Sequence, residues 1–104
     1  MYNIGEIIRI ERALRGDDEF DYTEAYIRID SGSGEIKTSF PTKLSDRSTF
    51  GKFLKKSGFE LKPGNDASFR DISKHLIGKK VEFQTYTNDN GWPDIIKDTV
   101  KFLV

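Results

Sequence analysis

Residues 43 to 59, KLSDRSTFGKFLKKSGF, decide the predicted fold of this 104-residue chain. Phe50, Phe53 and Leu54 recur at the i, i+3, i+4 spacing of a helix that buries one side. Most of the remaining sequence alternates apolar and polar residues in short runs, which is typical of β-strands. We therefore predict a single helix, with three strands before it and two after it.

The ends of this helix carry their own signals. Ser45 or Asp46 is the predicted N-cap, and Gly58 stands where a left-handed residue often follows a helix. Lysines near a helix C-terminus favour helix stability and solubility, so we interpret the lysines of this helix as solvent-facing, with contact to a ligand as the alternative. These residues are Lys52, Lys55 and Lys56.

Three strands are predicted before the helix. The first covers Ile4 to Leu14, where Ile7 breaks the alternation and Gly5 indicates a bulge or a bend. The second covers Tyr22 to Asp30 and the third covers Glu35 to Phe40, joined by a Ser-Gly-Ser-Gly hairpin turn. The inward-facing residues of the three strands are predicted to be Ile4, Ile8, Ile10, Ala25, Ile27, Ile29, Ile36, Thr38 and Phe40.

Two strands are predicted after the helix. Residues 61 to 73 are rich in Pro, Gly, Asn, Asp and Ser and predict a loop, with one helical turn over Asp71 to Leu76. Val81 to Thr87 and Ile95 to Val104 are the fourth and fifth strands. Asn88 to Gly91 lies between them and predicts a hairpin, because Asn-Gly tolerates the positive φ values of tight turns.

Length and composition indicate one small domain, residues 1 to 104. Cysteine is absent, which excludes disulfides and thiolate metal sites. The N-terminus lacks a signal-peptide pattern, and no apolar stretch approaches the length of a membrane span, so we expect a cytoplasmic protein without a membrane partner. The single histidine, His75, is interpreted as a partly exposed structural residue rather than a metal ligand or base.

The charged residues balance overall but are unevenly distributed. The formal net charge is zero, which argues against strong non-specific affinity for nucleic acid. From Glu11 to Asp30 there are seven acidic and three basic residues, whereas from Glu35 to Lys62 there are seven basic and three acidic. A polarised surface steers an anionic ligand to one side, although solvated surface charges also produce such asymmetry by chance.

The sequence contains no catalytic signature. The glycines of GSGE, residues 32 to 35, lie in a predicted hairpin rather than in the strand-to-helix turn of a phosphate-binding loop. A nucleophile elbow, a His-x-x-x-His pair and a cysteine cluster are all missing. We therefore expect no enzymatic activity, no cofactor and no metal site.

The predicted order of elements resembles the OB-fold, a five-stranded Greek-key barrel, here with its helix between strands three and four. Gly5 near the start of a long first strand, SDRSTFGKFL at residues 45 to 54 and LIGKKVEF at residues 76 to 83 carry this resemblance. The segments are similar to those of small single-stranded-DNA-binding and replication protein A-like proteins, including members from phages and mobile elements. The resemblance implies an all-β barrel with one helix that binds single-stranded DNA in replication, recombination or repair.

The resemblance also implies a binding site. OB-fold proteins bind single strands across strands two and three, between the loops that join strands one to two and four to five. Aromatic side chains stack on the bases and cations contact the phosphates. The corresponding residues here are Tyr22, Tyr26, Tyr86 and Trp92 for bases, and Arg28, Lys37 and Lys43 for phosphates.

Other interpretations of these residues remain open. Cross-strand Tyr and Arg side chains often stabilise a sheet without a ligand, and Trp92 before Pro93 can simply cover one end of the barrel. The acidic first loop, with Asp17, Asp18, Glu19 and Asp21, would repel a phosphate chain. The alternative function is an OB-fold interaction or assembly module, whose acidic loop and Trp92 contact a protein partner in a replication or recombination complex.

Overall fold

The computed structural model describes residues 2–15, 20–30, 32, 34–45, 47–60 and 68–103. These ranges contain six β-strands, two α-helices and one short 3-10 helix. In chain order the elements are β1 (Tyr2–Arg15), β2 (Phe20–Ile29), β3 (Glu35–Pro41), α1 (Thr49–Lys56), α2 (Phe69–Leu76), β4 (Lys80–Thr87), β5 (Pro93–Ile95), the 3-10 helix (Lys97–Thr99) and β6 (Lys101–Phe102).

The strands pair antiparallel in the order β3-β2-β1-β4-β5, with β6 also paired to β4. β1 bridges the sheet because it pairs with β2 through residues Gly5 to Arg15 and with β4 through residues Tyr2 to Glu6. In the described part of the chain no ladder joins β3 to β5, so the sheet is not closed. The prediction of a β-rich chain with a helix after the third strand is confirmed, but the counts of five strands and one helix were wrong.

A β-bulge in β1 changes which side chains face the core. The pairing of β1 with β2 shifts register between Ile7 and Arg9, so residues before and after the shift have opposite parity. Ile7 and Ile10 are buried, whereas Ile4 is 44% exposed, so the predicted inward side was wrong for Ile4. The bulge predicted for the first strand is therefore present, but at Ile8 rather than at Gly5. Gly5 serves close packing, since a Cβ there would lie 2.5 Å from Cγ2 of Ile27.

α1 starts later than predicted but buries the predicted stripe. Its N-cap is Ser48, whose Oγ accepts a hydrogen bond of 2.9 Å from the backbone N–H of Gly51, so the prediction of Ser45 or Asp46 was wrong. The three stripe residues are almost fully buried: Phe50, Phe53 and Leu54. Gly58 follows the helix with a φ of +87°, which confirms its predicted left-handed conformation.

α2 replaces the single helical turn predicted for Asp71 to Leu76. Ser68 is its N-cap, and Ile72 and Leu76 are buried on one side. His75 is half-buried, and its Nε2 lies 3.0 Å from the carbonyl oxygen of Ser57 at the end of α1. The histidine thus connects the two helices, in agreement with its predicted structural role.

The predicted fifth strand, Ile95 to Val104, is divided into β5, the 3-10 helix and β6. The backbone N–H of Gln84 in β4 donates a hydrogen bond of 2.9 Å to the side-chain Oγ1 of Thr99, instead of to a strand backbone. The chain therefore leaves the ladder between Ile96 and Val100. As a result Ile95 is buried, whereas Ile96 is only partly buried.

The core lies between the sheet and the two helices. The ring of Phe40 in β3 has its centroid 4.7 Å from that of Phe53 and 5.6 Å from that of Phe50, so α1 packs directly against β3. This contact fixes α1 beside the unpaired edge of β3. Within the described ranges, neither helix is long and apolar enough to cross a membrane.

Candidate nucleic-acid interface

An open groove of about 970 Å³ lies between β3 and the β4–β5 hairpin, with α1 as a third wall. Three of the predicted site residues line it: Lys37, Tyr86 and Trp92. The groove exists because β3 and β5 are neighbours that form no ladder. It therefore brings together residues from opposite ends of the sheet order.

Trp92 is held in place by the turn that precedes β5. The side-chain Oδ1 of Asn88 accepts hydrogen bonds of 3.0 Å from the backbone N–H groups of Asn90 and Trp92. Gly91 has a φ of +81°, which confirms the hairpin predicted from Asn-Gly. The Trp92 side chain is 69% exposed, so a large aromatic surface stands in solvent on a backbone fixed by hydrogen bonds.

Tyr86 lies on the same hairpin and is also about half exposed, at 49%. Its hydroxyl is 3.5 Å from Oδ2 of Asp94, the residue opposite it on β5. The other oxygen of Asp94 accepts a hydrogen bond of 2.9 Å from the backbone N–H of Ile95. Asp94 is thus engaged by its neighbours, while Tyr86 and Trp92 both border the groove.

Lys37 contributes a cation from β3, but this cation already has a partner. Its Nζ lies 3.0 Å from Oε2 of Glu24, and the Glu24 side chain is only 7% exposed. The Oγ of Ser39 donates a second hydrogen bond of 3.2 Å to the same carboxylate oxygen. Much of the Lys37 charge is therefore balanced within the sheet.

Three further lysines line the groove, and none was among the predicted site residues: Lys52, Lys56 and Lys97. Lys56 donates hydrogen bonds of 3.4 and 3.3 Å to the carbonyl oxygens of Asp98 and Val100. Although Lys97 is exposed overall, its ammonium lies 5.1 Å from the ring centroid of the buried Phe40. Partial burial of the ammonium group lowers the pKa of Lys97, and the negative charge of Asp94 opposes this shift.

The spacing of the helix lysines contained a signal that the sequence interpretation did not use. Lys52 and Lys56 are four residues apart and therefore share one face of α1. They are solvent-exposed as predicted, but they also face the groove together with Thr49 and Phe53. Lys55, between them in sequence, does not line the groove.

The other four predicted residues, Tyr22, Tyr26, Arg28 and Lys43, do not line the groove. The guanidinium carbon of Arg9 lies 4.0 Å from the ring centroid of Tyr26, so one face of this ring is already covered. Arg28 lies 3.9 Å from the carboxylate of Glu6, Lys43 follows β3, and Tyr22 is half-buried. Tyr22, Tyr26 and Arg28 lie on the side of β2 that points away from the core, here called the outer face of β2. The predicted site is therefore divided among the groove, the outer face of β2 and Lys43 after β3.

The acidic loop is only partly described. Asp17, Asp18 and Glu19 lie outside the described residues, but Asp21 belongs to β2. Its carboxylate accepts hydrogen bonds from the guanidinium of Arg12 and from the hydroxyl of Thr42. The hydrogen bond from Arg12 holds the pKa of Asp21 below its usual range, against the opposing effect of burial. Asp21 is therefore an ion-paired residue of β2, close to the loop that joins β1 and β2.

Searches against protein-family models and against curated proteins found no match to the chain. Among the described residues, no group of three or more His, Asp or Glu side chains could hold a metal ion.

Proposed function

We propose that this chain is an OB-fold protein that binds single-stranded nucleic acid, with single-stranded DNA as the first candidate. The antiparallel pairing of β1 with both β2 and β4, and the position of α1 after β3, support the OB-fold assignment. An OB-fold is a partly open Greek-key barrel, so the missing ladder between β3 and β5 is compatible with it.

The observation that carries the proposal is the meeting of two exposed aromatic rings and four lysines in one groove. Stacking of a base on an aromatic side chain contributes about 1 to 3 kcal/mol, and every base offers a face for it. The ammonium groups of Lys52, Lys56 and Lys97 attract the phosphates at the same time, whereas that of Lys37 is largely balanced by Glu24. Three acidic residues, Glu35, Asp94 and Asp98, also line the groove, so we expect moderate affinity.

The proposed protein has no catalytic role. It binds and holds a single strand, which is useful in replication, recombination or repair. Because bases in a duplex are already stacked and paired, Trp92 and Tyr86 can contact base faces only in unpaired nucleic acid. Preference for single strands over duplexes is therefore the central expectation.

A fluorescence titration with labelled oligo-dT tests this proposal. We expect binding that weakens with salt, with a slope of log K against log salt of about −0.7 for each phosphate neutralised. Unlabelled single-stranded DNA should compete much better than the duplex of the same sequence. Absence of binding at micromolar protein and low salt would refute nucleic-acid binding.

A second candidate, a protein-interaction module, is favoured by the edge of β3. The backbone N–H of Ile29 donates to Gly34, and that of Thr42 donates to Asp21. Hydrogen-bonded and non-hydrogen-bonded pairs alternate along an antiparallel ladder. Since Gly34 and Thr42 belong to hydrogen-bonded pairs, Glu35 and Lys37 direct their backbone N–H and C=O groups away from β2. Such an edge can accept an added peptide strand. A protein with only this function would leave oligo-dT unbound in the same titration.

A further inference from the structure

α1 presents one continuous face to the groove. Thr49, Lys52, Phe53 and Lys56 all line it, and their spacing of three, four and seven residues from Thr49 places them on one side of a helix. Phe53 is 4% exposed and packs into the core. The two lysines flank it and remain in solvent, so this wall of the groove has an apolar base and a basic rim.

The four groove lysines differ in how strongly they are engaged by the protein itself. Lys37 is paired with Glu24, Lys97 packs over Phe40, and Lys56 reaches two backbone carbonyls. The ammonium of Lys52 takes part in no ion pair or hydrogen bond with any described residue. A ligand phosphate can therefore contact Lys52 without breaking an existing interaction.

The groove also separates aromatic from basic groups. Trp92 and Tyr86 belong to the β4–β5 hairpin, whereas Lys52 and Lys56 belong to α1 on another wall. A single strand of nucleic acid has the same division, with bases on one side and phosphates on the other. Lys52 and Lys56 are separated by about 6 Å along the helix axis, so they offer two separate cation positions along a strand.

We infer that the sugar-phosphate backbone of the bound strand runs along α1, with Lys52 as its main phosphate contact and Lys56 as a second. This inference rests on the proposed function. It moves the phosphate path from the outer face of β2, where Arg28 was the candidate, to the helix. The outer face is less suitable because Arg9 and Arg28 are already close to the carboxylates of Glu11 and Glu6.

Lys52→Gln and Lys55→Gln form a matched pair for the test. Both substitutions remove one positive charge from an exposed position of the same helix, but only Lys52 lines the groove. In oligo-dT titrations, K52Q should weaken binding and reduce the magnitude of the salt slope by about 0.7. The ratio of the two binding constants, that of the unmodified protein over that of K52Q, should then fall by about 2.6-fold as salt rises from about 50 to about 200 mM.

K55Q should retain the affinity and salt slope of the unmodified protein, and Arg28→Gln should do the same. If the unmodified protein binds oligo-dT while K52Q and K55Q behave identically, the proposed phosphate path is wrong although the proposed function stands. If the unmodified protein does not bind, the proposed function fails and this inference fails with it.

An abasic oligonucleotide separates phosphate contacts from base contacts. Lys52→Gln should weaken binding of abasic and normal strands by similar factors, because both contain the phosphates. Trp92→Ala should weaken binding of the normal strand only. A K52Q loss confined to the normal strand would assign Lys52 to the bases and overturn the inference.

Discussion

The Nζ of Lys37 lies 3.0 Å from Oε2 of Glu24, a carboxylate that is almost fully buried on the outer face of β2. A buried carboxylate needs hydrogen bonds and a counter-charge, because transfer from water penalises its ionised form. Lys37 was predicted to contact phosphate, but in this structure it is one of the partners that stabilise Glu24. A phosphate at this position would compete with that carboxylate.

Lys37→Met should therefore reduce protein stability more than nucleic-acid affinity. Loss of this partner leaves Glu24 less well compensated, and we expect the free energy of unfolding to fall by about 1 to 3 kcal/mol. Urea denaturation measures this change. Lys55→Met, at an exposed helix position, is the control, and adding Glu24→Gln to K37M should recover much of the loss. Equal stability of K37M and K55M would show that the pair contributes nothing.

Gly51→Ala should be destabilising even though it lies within α1. Alanine ordinarily stabilises a helix interior by about 1 kcal/mol relative to glycine. Here an added Cβ would overlap the carbonyl oxygen of Ser45 and lie 3.0 Å from Oγ of Ser48. We expect a net loss of about 1 to 3 kcal/mol in thermal or urea unfolding. Gly32→Ala, where nothing lies within 4 Å of the new atom, should cause a much smaller change.

The ion pair of Arg12 and Asp21 should contribute to stability in a pH-dependent way. The pKa of Asp21 is lowered in the folded protein, chiefly by the hydrogen bond from Arg12. A lowered pKa in the folded state stabilises the fold above the unfolded-state pKa of about 3.9, and this contribution disappears as pH falls through the folded-state value. The Asp21→Asn variant should therefore lose less stability on acidification than the unmodified protein does. Urea unfolding at several pH values measures the two losses. Arg12→Gln should reproduce that flattening, and an unchanged pH profile in both variants would contradict the assignment.

Trp92→Ala and Tyr26→Ala distinguish the groove from the outer face of β2. Trp92 is 69% exposed, and its removal should cost about 1 to 3 kcal/mol of oligo-dT binding free energy. Tyr26→Ala should change the affinity little, because Arg9 already covers one face of its ring. The labelled-oligonucleotide titration measures both values. A larger loss for Tyr26→Ala than for Trp92→Ala would place the ligand on the outer face.

Local patterns in the sequence predicted much of the fold. The stripe of Phe50, Phe53 and Leu54 and the alternation in β2 and β3 depend on residues close in sequence, which is why they were predictable. The break in alternation at Ile7 also predicted an irregularity in β1. The exact place of the bulge, at Ile8, and the break at Thr99 could not be predicted, because each depends on pairing with a distant strand. The length of α2 was underestimated because only two of its eight residues, Ile72 and Leu76, are buried and give an apolar pattern.

The candidate site was predictable only in part. Exposed aromatic residues near a hairpin, such as Trp92 and Tyr86, could be recognised from their position in the sequence. Whether a cation is free or paired depends on neighbours across the sheet, so the pairing of Lys37 with Glu24 could not be read from spacing. The groove position of Lys52 depends on how α1 packs against Phe40, which is a tertiary contact.

The unpaired edge of β3 makes this strand a natural reporter of ligand binding. The amide hydrogens of Ile36 and Thr38 point into the ladder with β2, whereas those of Glu35 and Lys37 point away from it. In hydrogen–deuterium exchange, Lys37 should therefore lose its amide hydrogen quickly and Thr38 slowly, although they are adjacent. A strand or peptide that enters the groove would first slow the exchange of the Lys37 amide hydrogen. Exchange at this one backbone position would therefore report occupancy of the groove without a fluorescent label or a substitution.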